Sequence, residues 1–139
     1  AALGEGFGDY WAGSFFEMRK PRRYRPTVMS WDGALYEGDP PCVRRLDSPR
    51  SYETFDHSRG ADEHENGEIW SATLWEVREL LGRKKADKVI VESHFQLDGF
   101  TTFVRGARAI LDADRHLNRG ANEAALRRIF HRRGIGPVE

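Results

Sequence analysis

Apolar positions recur every three to four residues in four stretches of this chain, the period of an amphipathic helix. Over residues 3–18 the pattern runs through Phe7, Tyr10, Trp11, Phe15 and Met18, predicting a buried helix that stops at Pro21. A second helix is expected from near Ala61, with Trp70, Leu74, Val77 and Leu81 as its buried stripe and Gly82 at its end. In the third stretch Phe103, Ala107, Ile110 and Asp114 share a face. The last, ANEAALRRIFHRRG, is expected to be capped near Asn122 and closed by Gly134, its final cations suiting the negative end of the helix dipole. KADKVIVESHFQL fits either helix or strand; its helical flanks and lack of proline favour helix. From Pro21 to about residue 60 the pattern is extended and turn-rich, as in WDGALYEGDPP and LDSPRSY. The expected fold is mainly α: one domain, residues 1–139, a helical lobe with a long irregular loop between its first and second helices.

A chain of 139 residues, 39% apolar and 12% aromatic, has enough material for one core. Its 22 basic and 22 acidic side chains cancel, which argues against a general nucleic-acid or membrane-surface binder. With Cys42 the only cysteine, neither an internal disulfide nor a cysteine zinc knuckle is available. Apolar runs fall well short of the ~20 residues that a membrane-spanning helix needs.

Three stretches carry candidate chemistry. In LGEGFGDYWA, Glu5 and Asp9 stand four apart and so share one helix face. Gly4, Gly6 and Gly8 around them each cost a helix roughly 1 kcal/mol against alanine, which suits a place where something approaches the backbone closely. A buried carboxylate is expensive unless it is paired or binds a metal; an exposed helix start with solvated acids accounts for the pair as well. In GADEHENGEIW, the string from His64 to Glu68 begins like the zinc motif H-E-x-x-H but ends in glutamate, so the second imidazole is missing. His64 falls at a helix start, where it is either structural or a donor to substrate, with Asp62 a candidate to favour its charged form. In CVRRLDSPRSYETFDH, Arg44 or Arg45 could clamp a carbonyl or carboxylate through its planar fork, and Asp56-His57 is a further acid–imidazole pair. Surface ion pairs explain these residues equally well.

Together, LGEGFGDYWA, CVRRLDSPRSYETFDH, EHENGEIWSATLWEV and FVRGARAILDADRHLNRGANEAALRRIFHRRGIG resemble, in order, the C-terminal half of fungalysin-type zinc metallopeptidases, relatives of thermolysin. The resemblance runs from residue 3 to about residue 136. It implies that Glu5 is the third zinc ligand and Asp9 the acid that holds a zinc-bound histidine by its other ring nitrogen. By the same likeness Arg44 binds the substrate carbonyl beyond the scissile bond, and His64 stabilises the tetrahedral oxyanion. Asp62 or Asp56 would orient His64.

The family's two zinc histidines and catalytic glutamate precede a position like Glu5, and no H-E-x-x-H occurs in this sequence. A catalytic zinc site takes three protein ligands and a water; this chain offers one. The expectation is therefore the C-terminal lobe of a larger, secreted endopeptidase, inactive alone, whose partners are a peptide or protein substrate and an upstream half of the same catalytic domain. Zinc is the implied cofactor; structural calcium, also a family possibility, finds no support in these residues. Two other classes stand beside this one. A degenerate lobe would bind peptides or a partner protein without hydrolysis. Nucleic-acid binding through RKPRRYRP would use Tyr24 to stack among basic residues, but the acidic ADEHENGE balances that run, so neither nucleic acid nor membrane is expected as a partner.

Overall fold

The computed structural model describes residues 1–35 and 38–138; Tyr36 and Glu37, inside the irregular stretch, and Glu139 lie outside the described residues. Among the described residues the helices are α1 (Ala2–Phe16), α2 (Glu63–Leu81), α3 (Arg83–His94), α4 (Phe103–Asn118) and α5 (Glu123–Arg132). The ambiguous segment is helix: α3 follows α2 directly after Gly82, whose φ of +76° turns the chain. The long connection carries one two-residue antiparallel ladder, β1 (Thr27–Val28) with β2 (Arg44–Arg45), in which Val28 faces Arg44.

α2 is the hub, packed on α1, α3, β2 and α5. Its Ile69, Trp70, Leu74 and Val77 are buried, and Trp70 lies 5.5 Å from the Phe103 ring of α4. The expected face of α4 is the observed one, with Phe103, Ala107, Ile110 and Asp114 all buried. Asp114 is tolerated there because its oxygens accept from Asn118 Nδ2 at 2.9 Å, Asn122 Nδ2 at 2.7 Å and the Asn122 backbone N–H at 3.0 Å. The expected cap of α5 is corrected by this. Asn122 does hold the N-cap position, but its side chain donates to Asp114 and makes no cap hydrogen bond.

The contact between α1 and α2 is made by glycine. A Cβ on Gly67 would stand 2.9 Å from the Ala2 carbonyl oxygen and the Gly6 nitrogen, and one on Gly6 would strike the Gly67 carbonyl oxygen. The two backbones touch there, and only hydrogen fits between them. The close approach anticipated from the glycines is real at Gly6, whereas Gly4 and Gly8 face open space.

That crossing keeps Tyr10 of the expected stripe fully buried and Phe7 partly so, and overturns the rest. The buried residues are Leu3, Gly6, Tyr10, Gly13 and Ser14, while Trp11, Phe15 and Met18 are 41%, 53% and 68% exposed. Both sets have helical spacing; the requirement for glycine against α2 selects the first. The end of α1 also comes earlier than expected, its last turn tightening into a 3₁₀ turn at Glu17–Arg19. Under its C-terminal half lies a polar network: the Tyr10 hydroxyl and Ser14 Oγ donate to Asp87 Oδ1 at 2.7 and 2.9 Å. Arg78 donates to Ser14 and pairs with the buried Glu17.

Candidate active site

Three elements meet over the exposed edge of the α1–α2 crossing. α1 brings Glu5 and Asp9, one turn apart on the flank beside the buried glycine face. α2 brings His64 in its first turn, held there because Asp62 is the N-cap and its Oδ1 accepts the His64 backbone N–H at 2.8 Å. β2 brings Arg44, placed by the ladder with β1 and by Leu46, which is fully buried against Gly13.

The side chains converge. His64 Nε2 is 3.1 Å from Glu5 Oε2, and His64 Nδ1 is 3.3 Å from Asp62 Oδ1, so the imidazole stands between two carboxylates. Arg44 closes a two-point fork on Asp9, Nε to Oδ2 at 2.6 Å and Nη2 to Oδ1 at 2.9 Å. Both partners of this fork are largely buried, at 14% and 12% side-chain exposure, whereas Glu5 and His64 remain about half open. The hydrogen bonds to Asp9 raise the Arg44 pKa above its ordinary value, with the charges of Glu68 and Asp62 adding to the effect. Asp62 is held below the usual carboxylate range, chiefly by the His64 backbone N–H.

Of the two adjacent arginines, Arg45 turns outward to Asp47 at 2.8 and 2.9 Å, whereas Arg44 turns to Asp9. The two candidate partners of His64 also part company. Asp62 faces Nδ1, while Asp56 Oδ1 accepts from the Ser58 backbone N–H and its pKa is lowered chiefly by that bond. His57 lies against Phe55 and Tyr52, with ring centroids 4.7 and 6.1 Å away. Tyr24 is engaged by Arg23, whose guanidinium lies 4.9 Å from the ring centre.

Two residues of this region escaped the sequence reading. Glu68, one turn beyond His64 on α2, adds a fourth carboxylate to Glu5, Asp9 and Asp62; its i+4 spacing was the available signal, hidden by its standing where a zinc histidine was sought. Buried Asn66 exchanges two 2.9 Å hydrogen bonds with the Asp56 backbone and so ties the connection to the start of α2; no sequence pattern announces that role.

Four carboxylates stand around one guanidinium and one imidazole, an excess of negative charge that suits a cation. Glu5 is a half-open carboxylate with its ring partner to one side. Asp9 retains acceptor capacity, since its fork with Arg44 uses only two of its roughly four lone-pair positions. Among the described residues no group of three or more His, Cys, Asp or Glu stands together as a metal site. Glu5 is the carboxylate here that could take a metal ion, with Asp9 an acceptor one turn away.

Residues 1–138 match the fungalysin metallopeptidase (M36) family, and the chain belongs to it. It is 28% identical over 162 aligned residues to extracellular metalloproteinase 3 of Arthroderma otae, and likewise 28% to probable extracellular metalloproteinase 3 of Trichophyton verrucosum. Extracellular metalloproteinase 2 of Trichophyton tonsurans is 26% identical over 159 residues. Each alignment covers 96% of this chain and 25% of the relative, so the chain spans about a quarter of the length of these curated proteins. No solved structure matches it.

Proposed function

We propose that this chain is the C-terminal catalytic lobe of a secreted, zinc-dependent endopeptidase, supplying one metal ligand and the groups that hold substrate and stabilise its transition state. The observation that carries the reading is that Glu5 with His64, and Asp9 with Arg44, are brought from three separate elements to one flank of α1. Membership of the family and the names of its extracellular relatives support the same reading.

Glu5 would be the lobe's ligand, and Asp9 would accept the free ring N–H of an imidazole ligand, fixing its tautomer. Zinc, when bound, polarises a peptide carbonyl and lowers the pKa of its water. The other steps belong to side chains. His64 has Nδ1 facing Asp62 and Nε2 facing Glu5, and would donate Nε2–H to the oxygen on which charge develops once Glu5 turns to a metal ion. Arg44, anchored on Asp9 through Nε and Nη2, has Nη1 left to donate to a substrate carbonyl. With one ligand, this chain alone neither holds zinc tightly nor hydrolyses peptides.

A second reading is a non-catalytic lobe that grips peptides or a partner protein through the same residues, Arg44 being a donor suited to a peptide carbonyl. Kinetics and metal analysis of His64→Ala in the full-length protein separate the two. The catalytic reading expects zinc retained and turnover lowered about 10²–10³-fold, the usual loss for one oxyanion donor. A full-length protein that binds peptides but shows no chelator-sensitive hydrolysis before mutation supports the second.

A further inference from the structure

α5 turns a face of one sign to solvent. At about 100° per residue, Ala124, Arg127, Arg128, His131 and Arg132 form its outer side, opposite the buried Leu126, Ile129 and Phe130. No acid of the helix lies within that arc; Glu123 stands at its margin. Arg127 with His131, and Arg128 with Arg132, are each about 6 Å apart along the axis, so the four side chains form two parallel rows. Like charges at this spacing destabilise a helix, here in a chain whose net charge is zero.

The helix dipole favours His131 and Arg132 in the last turn, but Arg127 and Arg128 stand in mid-helix. Nearby acids neutralise only part of the face. Arg127 gives Nε and Nη2 to Glu123 at 3.0 and 2.7 Å and Nη1 to the Val138 carbonyl, which leaves donors over on its guanidinium. Glu123 is already shared with Arg115. Arg132 gives Nη2 to Glu76 at 2.6 Å, and Glu76 is shared with Arg133. Arg128 and His131 are exposed and, among the described residues, have no ion-pair partner. The surface is also hollowed. Arg127 and His131 line a cavity of about 540 Å³ with Arg128 and Arg132, and a second of about 650 Å³ against Ile135 and Pro137. Among the described residues, Glu53 is the one acid lining either.

We propose that this face of α5 binds an extended acidic polysaccharide, sulfated or carboxylated, through residues that have no part in the Glu5–His64 and Asp9–Arg44 pairs. Anionic groups repeated along a polymer match two rows of donors, whereas one isolated anion would engage a single row. Guanidinium N–H groups make charge-assisted hydrogen bonds to such oxygens, and the hollows give a chain room to lie between α5 and the C-terminal segment. Nucleic acid fits less well. Single strands are held on aromatic platforms, and α5 has no Phe, Tyr or Trp on this face. Only the extracellular setting is shared with the proposed function; the surface depends neither on Glu5 nor on zinc.

Equilibrium binding of the full-length protein to dextran sulfate, polygalacturonate and neutral dextran of matched length tests this. The expected result is binding to at least one acidic polymer, weakening as salt is raised, and none to dextran; the tighter of the two acidic polymers tells sulfate from carboxylate. Arg128→Glu with His131→Glu should lower affinity by about tenfold or more, as the reversal of two ionic contacts to a polyanion would. Its melting temperature should stay that of the parent, since neither side chain has an ion-pair partner among the described residues. Lys84→Glu with Lys85→Glu reverses the same amount of lysine charge on exposed positions of α3 and should change affinity by less than about twofold, because long-range charge is screened. Equal losses in the two double variants overturn the proposal, since they report net charge and not a site. So does a lack of binding to both acidic polymers at low salt. Tighter binding to double-stranded DNA of the same charge overturns it too, and makes the surface a nucleic-acid one. Arg128→Ser is the milder variant: full affinity in a folded Arg128→Ser protein contradicts the assignment, and a loss supports it. Glu5→Gln should leave polymer binding unchanged, which keeps this outcome apart from that of the peptidase reading.

Discussion

Arg44 on β2 and Asp9 on α1 are joined by two parallel hydrogen bonds of 2.6 and 2.9 Å, across 35 residues of mostly irregular chain. The fork fixes the connection to the first helix and fixes the Asp9 carboxylate at the same time. Lysine can carry the charge of Arg44 but not the planar two-point contact. Arg44→Lys is therefore expected to cost about 1.5–3 kcal/mol in chemical denaturation of the isolated chain, the range for hydrogen bonds to charged groups. A loss below about 0.5 kcal/mol would mean that the fork does not hold the connection in place.

Asp9→Asn tests the other end of that contact. In the full-length protein it should weaken zinc affinity by about 10–100-fold, as loss of an acceptor behind a metal-bound imidazole usually does. Competition with a graded chelator series measures this directly. Unchanged affinity would leave Asp9 with a structural role only.

The glycine crossing makes a prediction about stability alone. Gly67→Ala must push the α1 and α2 backbones apart, because the added carbon would sit 2.9 Å from the Ala2 oxygen. Overpacking of this kind costs about 1–3 kcal/mol or more, while Gly8→Ala, in open space, should raise stability by up to about 1 kcal/mol through helix propensity. Thermal melts of the two variants should move in opposite directions; a stabilised Gly67→Ala would contradict the crossing.

Tyr10 links pH to folding. Burial first, then the hydrogen bond to Asp87 and its charge, push the phenol above its ordinary 10.0. The folded state thus keeps a proton that the unfolded state releases above pH 10.0. The stabilisation is fully present below that value and is lost as pH rises toward the folded-state pKa. Tyr10→Phe should flatten the alkaline limb of the stability curve. An unchanged limb in the variant would show that another group governs it.

The helices were legible because hydrophobic period and turn residues act locally. The face of α1 was not, since its aromatic and glycine strips share one spacing and only the partner decides between them. Gly67, which sets that choice, is 61 residues from Gly6 in the chain. Glu5, Asp9, Arg44 and His64 could be picked out by residue type, spacing and family likeness; that Asp9 holds Arg44, and that Asp62 rather than Asp56 faces His64, depends on the path of a connection with almost no regular structure. Glu68 was visible in HENGE and overlooked because its position was judged only as a vacant histidine.

If Glu5 holds zinc, metal analysis of purified full-length protein beside its Glu5→Gln variant will show it. The unmodified protein should carry one zinc per chain and hydrolyse peptides in a chelator-sensitive way. The variant should keep its fold, as judged by circular dichroism, and lose zinc and turnover together. A Glu5→Gln protein that retains both its zinc and its activity would rule Glu5 out as the ligand.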